Sequence, residues 1–340
     1  MPIPDFLIVG APKCGTTALF EYLSEHPELH VPFKEPHYFG SDLRPEFYRG
    51  GRRNLDWYMG KLSGAQPGQL VGEASVWYLY STKAAEEIYA HNPDARIVIM
   101  LREPSSMMYS LYNMFMWVRD LVPNGVLYEN GVGAVKPLTF EEALANQDER
   151  KAEFAAMRDL DAERGVRARR IFHTEVAKYS EQVQRYLDVF PREQIKIVLL
   201  DDIKTDVAKV YRETLEHIGV RDTDFKASFE VVNSSRDIKS YTLHRLMLKH
   251  DSLPALRAVI KAVTPRSLRK KVFMKVLRKN VTHKKQPKMS AETRAWLKAH
   301  FRDDVERLAE LVDRDLVKLW YDDEPRPAMP PPAKFDLVEA

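Results

Sequence analysis

Phe6-Leu-Ile-Val-Gly10 is a continuous apolar run that passes through Ala-Pro-Lys13-Cys-Gly15 into Thr16-Thr17 and a helical pattern. Such a run predicts a strand, a tight turn and a helix leaving it, the corner from which α/β sheets are built. The first N–H groups of that helix lack intrahelical partners and sit at the positive end of its dipole. The corner is therefore an anion site before any side chain is counted. The nucleotide-hydrolase pattern G-x-x-x-x-G-K-[ST] has the glycine spacing of Gly10 and Gly15 and a hydroxyl at the place of Thr17. Its lysine position is taken here by Thr16, and the cation has moved inside the loop to Lys13. That displacement sets the loop apart from those that bind ATP for hydrolysis.

The remaining pattern extends the same architecture. Helices are predicted from Thr16 to about Glu25, from Ser81 to His91 with Ser81 as N-cap, from Pro104 to about Arg119, near Glu175–Phe190 and near Val207–Ile218. Leu70–Ser75 reads as a short strand. Arg96–Leu101 and Ile195–Leu200 are apolar runs of the kind that sheets covered on both faces require. Val31–Phe39 is interrupted by Pro32 and Pro36, which makes it a loop or edge strand. The expected fold class is α/β: a parallel sheet of the phosphate-loop, nucleotide-kinase-like type flanked by helices, with a mainly helical C-terminal part. Residues 1–323 are expected to form one domain, with an inserted loop near 121–136 and a basic helical segment at 252–291. One amphipathic helix is expected from about Ser290 to Trp320. The Pro-rich residues 324–340 read as a disordered tail.

At 340 residues the chain is long enough for a large core. One cysteine, Cys14, excludes an internal disulfide framework and a Cys-rich metal site. Ten histidines show no helical or hairpin ligand spacing, so no metal site is expected. No apolar run reaches the roughly 18 residues of a membrane span, and Met1-Pro-Ile-Pro leads directly into the first strand. These features set the expectation of a cytoplasmic protein.

The strand Arg96–Leu101 ends in Arg102-Glu103-Pro104, which puts a guanidinium where a hydrolase keeps a metal-binding carboxylate. Arg102 beside a phosphate loop suits a second phosphate held by bidentate contacts. Asp201 and Asp202 follow the strand Ile195–Leu200 and keep open the alternative of a metal-dependent nucleotide kinase.

At these residues the chain resembles the sulfotransferases that use 3'-phosphoadenosine 5'-phosphosulfate (PAPS) and release adenosine 3',5'-bisphosphate (PAP). Their 5'-phosphosulfate loop P-K-[ST]-G-T-[ST] matches Pro12-Lys13-Cys14-Gly15-Thr16-Thr17 apart from Cys14. Their 3'-phosphate signature is an Arg ending a strand and a Ser one helical stretch later, as are Arg102 and Ser110. Phe33-Lys34-Glu35-Pro36-His37-Tyr38-Phe39 is similar to the K-E-x-x-F segment that carries the catalytic Glu in the heparan-sulfate and carbohydrate branch. The resemblance gives Glu35 that role, with His37 as the second candidate. In an extended segment positions 35 and 37 share a face, so both would look into one cleft. Gly72-Glu73-Ala74-Ser75 with Tyr78 resembles an acceptor-lining segment, which makes Lys34, Glu73, Ser75 and Tyr78 candidate substrate contacts. The implied activity is in-line, metal-independent sulfuryl transfer from PAPS to a hydroxyl or amine of a small-molecule or carbohydrate acceptor.

Residues 252–291 contain no Asp or Glu and many Lys and Arg. A solvated basic helix face is the plain reading. Peripheral contact with an acidic membrane surface is open to it, and the family resemblance makes Lys284 and Lys285 candidates for the 3'-phosphate. A non-enzymatic nucleotide- or nucleic-acid-binding module is the remaining alternative, though no recognition motif accompanies the basic residues. Trp57, Trp77, Tyr112, Phe115 and Trp117 are candidates either for an acceptor cleft or for core packing. Oligomeric state and acceptor identity are not legible in the sequence.

Overall fold

The computed structural model describes residues 3–43, 54–121, 139–148, 173–229, 237–238, 281–282 and 288–321, with side chains excepted at 115–121, 173, 237–238 and 281–282. Five parallel strands form the sheet: β1 (Phe6–Gly10), β2 (Leu29–His30), β3 (Leu70–Ala74), β4 (Arg96–Leu101) and β5 (Ile195–Leu199), in the spatial order β2-β3-β1-β4-β5. Phe6 pairs with Gly72 on one side and Arg96 on the other, and Ile97 pairs with Ile195. Residues Phe6 to Val9 and Ile97 to Leu101 have no exposed surface, as continuous apolar runs at the centre of a covered sheet require. Gly72 is dictated by packing, since a Cβ there would lie 2.1 Å from the Phe6 ring.

The first helix, α1 (Thr16–Ser24), leaves β1 and buries Leu19, Phe20 and Leu23. The others are α2 (Leu55–Leu62), α3 (Ala84–His91), α4 (Pro104–Leu121), α5 (Phe140–Ala145), α6 (His173–Ala177), α7 (Tyr179–Leu187), α8 (Leu200–Thr205), α9 (Val207–Ile218), α10 (Ala291–Val312) and α11 (Leu316–Tyr321). Ser81 lies ahead of α3 rather than at its N-cap position, yet its Oγ accepts the Ala84 N–H at 2.9 Å and so serves the first turn.

Two helices expected as single pieces are broken. The stretch near 175–190 divides at Lys178 into α6 and α7. There the Asp304 carboxylate of α10 accepts the Tyr179 N–H at 2.9 Å and the Ser180 hydroxyl at 2.5 Å, so a new helix starts under a cap supplied from a distant element. The C-terminal helix divides at Asp313, whose left-handed backbone (φ 52°) ends α10.

The chain clusters into two compact units. The first comprises Met1–Leu111, Thr139–Val232 and Met289–Ala340 and contains the sheet. The second comprises Tyr112–Leu138 and Asn233–Lys288, and within it β6 (Asp237–Ile238) pairs antiparallel with β7 (Val281–Thr282). Residues 122–138, 239–280, 283–287 and 322–340 lie outside the described residues, so the expectations for the insert, the basic helix and the tail stay as sequence readings.

Candidate active site

The sheet reverses its winding direction at β1, between β3 and β4, and the carboxyl ends of these strands bound the crevice where α/β proteins place ligands. The Lys13 loop sits at that point. Ala11 N–H donates to the Met100 carbonyl of β4 at 2.6 Å, which ties the loop to its neighbour strand. Lys13 (φ 65°) and Gly15 (φ 89°) both turn left-handed, and Gly15 occupies the N-cap of α1. The carbonyl of Gly15 accepts from Ala18 and Leu19, and no side chain caps the helix. The start of α1 therefore has the form of an anion cradle. Glycine is required here, since a Cβ on residue 15 would meet Leu200 Cδ1 at 2.9 Å on top of the strained φ.

Thr16 is buried and Thr17 is partly exposed. Cys14 is fully buried: its Sγ donates to the Pro12 carbonyl at 3.4 Å and lies 3.9 Å from the Tyr179 hydroxyl. Burial pushes its thiol up to about 12, so this side chain is an inert packing group. Any contact of residue 14 with a ligand falls to its backbone.

Arg102, at the end of β4, reaches across and donates from Nη1 to the Lys13 carbonyl at 3.4 Å. Burial, then the neighbouring charges of Arg102 and Lys34, lower the pKa of Lys13. Three cations thus converge on one loop, a concentration of like charge that an anion would relieve. Glu103 folds back on α4, where its carboxylate accepts the Ser105 N–H (2.9 Å), the Ser105 hydroxyl (2.8 Å) and the Ser106 N–H (2.8 Å). Ser110 lies about two turns along α4 and is partly exposed.

The acidic alternative finds its carboxylates already engaged. Asp201 accepts from Lys204 at 2.9 Å and from the Trp320 indole at 3.0 Å, and Asp202 holds Arg314 in a bidentate pair at 2.6 and 3.0 Å.

Lys34 forms an isolated parallel bridge to Ala74, the last residue of β3, and Glu35 N–H donates to the Ala74 carbonyl at 2.7 Å. From there the backbone departs from the extended form expected. Glu35 (φ 59°) and His37 (φ 48°) are both left-handed, and this double kink, rather than pleat alternation, brings their side chains together. His37 Nε2 lies 2.8 Å from Glu35 Oε2, and Lys34 Nζ donates to Glu35 Oε1 at 2.5 Å. Burial raises the Glu35 pKa, but the His37 contact and the Lys34 charge outweigh it and hold the carboxyl down to about 2.

Glu73, Ser75 and Tyr78, expected to line the acceptor side, are buried beneath this loop with no exposed surface. Tyr58 of α2, which sequence reasoning did not single out, joins them by donating to Glu73 Oε1 at 3.1 Å. Nothing but the apolar stripe of a short helix marked it. Trp77 is likewise core, while Trp57 and Tyr112 are partly exposed. Lys284 and Lys285 fall outside the described residues, as do the side chains of Phe115 and Trp117.

Residues 3–312 match the family model described as the sulfotransferase domain. A crystal structure of a sulfotransferase from Alicyclobacillus acidocaldarius is 30% identical and superposes over 94% of this chain and 98% of its own, with a TM-score of 0.63. Among curated proteins, heparan sulfate glucosamine 3-O-sulfotransferase 5 of Mus musculus is 28% identical over 204 residues, covering 60% of this chain and 50% of that protein. Membrane-associated sulfotransferase kil1 of Dictyostelium discoideum is 22% identical over 317 residues, covering 74% of this chain and 64% of that one. The chain spans about half the length of the mouse relative. The expectation of a cytoplasmic protein is corrected by this company: a relative matched over most of the chain is membrane-associated by name. That expectation rested on a missing anchor, and an anchor can lie outside the aligned region. No helix among the described residues is long and apolar enough to cross a membrane, which leaves location open.

Proposed function

Because this chain belongs to the sulfotransferase domain family, we propose that it transfers a sulfuryl group from PAPS to a hydroxyl or amine of a carbohydrate acceptor. The observation that carries the donor assignment is the convergence of Lys13 and Arg102 on one uncapped helix start. The relatives named for heparan sulfate glucosamine support the acceptor class.

The donor supplies an activated sulfuryl group and a phosphate leaving group. The N–H groups of Gly15 to Thr17 and the two threonine hydroxyls hold the 5'-phosphate, and Lys13 neutralises the charge that develops on it. Arg102 and Ser110 hold the 3'-phosphate. A bond forms from the acceptor oxygen or nitrogen to sulfur as the bond from sulfur to the bridging oxygen breaks. Glu35 takes the acceptor's proton while His37 fixes the carboxylate. A carboxylate held this low is a weak base, so the proton moves late, once sulfur has drawn electron density from the attacking atom.

Calorimetric titration with PAP, paired with labelled-donor assays on a saccharide panel, tests the reading. Lys13→Ala is expected to lower kcat about 10²–10³-fold, the scale of losing one preorganised charge contact. A protein without measurable PAP affinity, or a Lys13→Ala variant at full rate, overturns it.

A further inference from the structure

Glu73 is the most deeply buried carboxyl near the site, and the proposed chemistry leaves it without a role. It has no exposed surface and so no route to a substrate proton. Its partners point instead to the loop above it. Oε1 accepts the Tyr58 hydroxyl at 3.1 Å, Oε2 accepts the Ser75 hydroxyl at 3.3 Å, and the Tyr78 hydroxyl also bonds to this carboxyl.

A hydroxyl has one proton to give and two lone pairs with which to accept. With Tyr78 donating to Glu73 and Ser75 hydrogen-bonded to it, each hydroxyl oxygen keeps lone-pair capacity to receive donors from the other side. The donors present are backbone N–H groups of the base loop. His37 N–H reaches Ser75 Oγ at 3.0 Å, and the N–H groups of Tyr38 and Phe39 reach Tyr78 Oη at 2.7 and 3.2 Å. This stretch follows the left-handed Glu35 and contains the left-handed His37, conformations that persist only where surrounding contacts impose them. Among the described residues, the Lys34 bridge and the Glu35 N–H are its only backbone pairing to the sheet.

We propose that Glu73 is a positioning residue: through the hydroxyls of Ser75 and Tyr78 it fixes the backbone of residues 37–39 and so holds Glu35 and His37 in register with the acceptor. The inference rests on the reading of Glu35 as proton acceptor. It adds that the precision of that base is set one layer below, by a carboxyl that touches no substrate.

The full chain carrying Tyr78→Phe, Ser75→Ala, Glu73→Gln or Glu73→Leu tests it with two independent readouts. In hydrogen-exchange mass spectrometry, Tyr78→Phe and Glu73→Leu are expected to speed exchange of the amides at 37–39 at least tenfold and to leave strand β1 unchanged. In kinetics the same variants are expected to lose tenfold or more in kcat, with KM for PAPS and PAP affinity unchanged. Glu73→Gln, which still accepts two hydroxyl bonds, is expected to rescue both readouts. The double variant Glu73→Leu/Tyr78→Phe is expected to be no worse than the poorer single one, since both break one relay. Unchanged exchange at 37–39 in Tyr78→Phe overturns the proposal, and so does a kcat loss matched by an equal loss of PAP affinity. Should Glu73→Leu fail to fold, Tyr78→Phe and Ser75→Ala decide alone. A wild-type protein that sulfates nothing would sink the functional reading, whereas the exchange measurement would still judge the relay.

Discussion

Glu35 and His37 meet only because the backbone is left-handed at both, an arrangement that costs roughly 1–3 kcal/mol per residue and is held by the structure around it. The consequence for acid–base behaviour is specific. With its folded value held to about 2, Glu35 is ionised throughout the neutral range. Its stabilising contribution is present above the ordinary carboxylate range and is lost as pH falls toward 2. The rate profile is therefore expected to show no acid limb from Glu35 between pH 5 and 8. Glu35→Gln is expected to cut kcat about 10²–10⁴-fold without changing PAP affinity. If instead an acid limb appears in that range and vanishes in His37→Ala, the base is His37. Glu73 behaves in the opposite sense. Burial, against three hydroxyl donors and with the Glu35 charge nearby, pushes it up to about 8. The fold keeps a proton that the unfolded chain has released, so wild-type stability falls as pH rises from about 4.5 to about 8. Glu73→Gln has no such loss. Its urea midpoint is expected to gain on wild type progressively from pH 5 to pH 8 and then to level off.

At the scale of elements, helix starts carry much of the information. Strand β1, strand β4 and helix α9 have the bounds that their sequence patterns predict, because apolar runs and Gly or Pro punctuation are local signals. Helix α4 begins at Pro104, as a proline at the first helical position should. The sequence did not show how Glu103 turns back to cap it. Glu103→Ala is expected to lower stability by about 1 kcal/mol, read as a shift in urea midpoint at unchanged m-value. The breaks at Lys178 and Asp313 escaped prediction for a common reason. Helical periodicity continues across each of them, and at Lys178 the interruption is caused by a carboxylate 125 residues away.

At the scale of the molecule, that same carboxylate ties the C-terminal helix α10 to α7 within the sheet-bearing unit. Asp304 is nearly fully buried and caps α7, whose first residue, Tyr179, reaches Cys14 in the Lys13 loop. Asp304→Ala leaves two N–H groups and a hydroxyl without their acceptor. It is expected to cost about 3 kcal/mol, checked by thermal or urea unfolding. If PAP affinity drops with it, the strut reaches the anion site through Tyr179.

The sequence by itself determined the sheet class, the placement of Lys13 in the loop after β1, the arginine closing β4 and the segment bearing Glu35. All of these are written in short windows where composition and spacing act locally. Only the tertiary structure decided the double kink at Glu35 and His37, the burial of Glu73, Ser75 and Tyr78 beneath it, the engagement of Asp201 and Asp202 by Trp320 and Arg314, and the division into two units. Each of those depends on which distant group arrives to satisfy a buried donor, acceptor or charge, and no local window of the chain contains both partners.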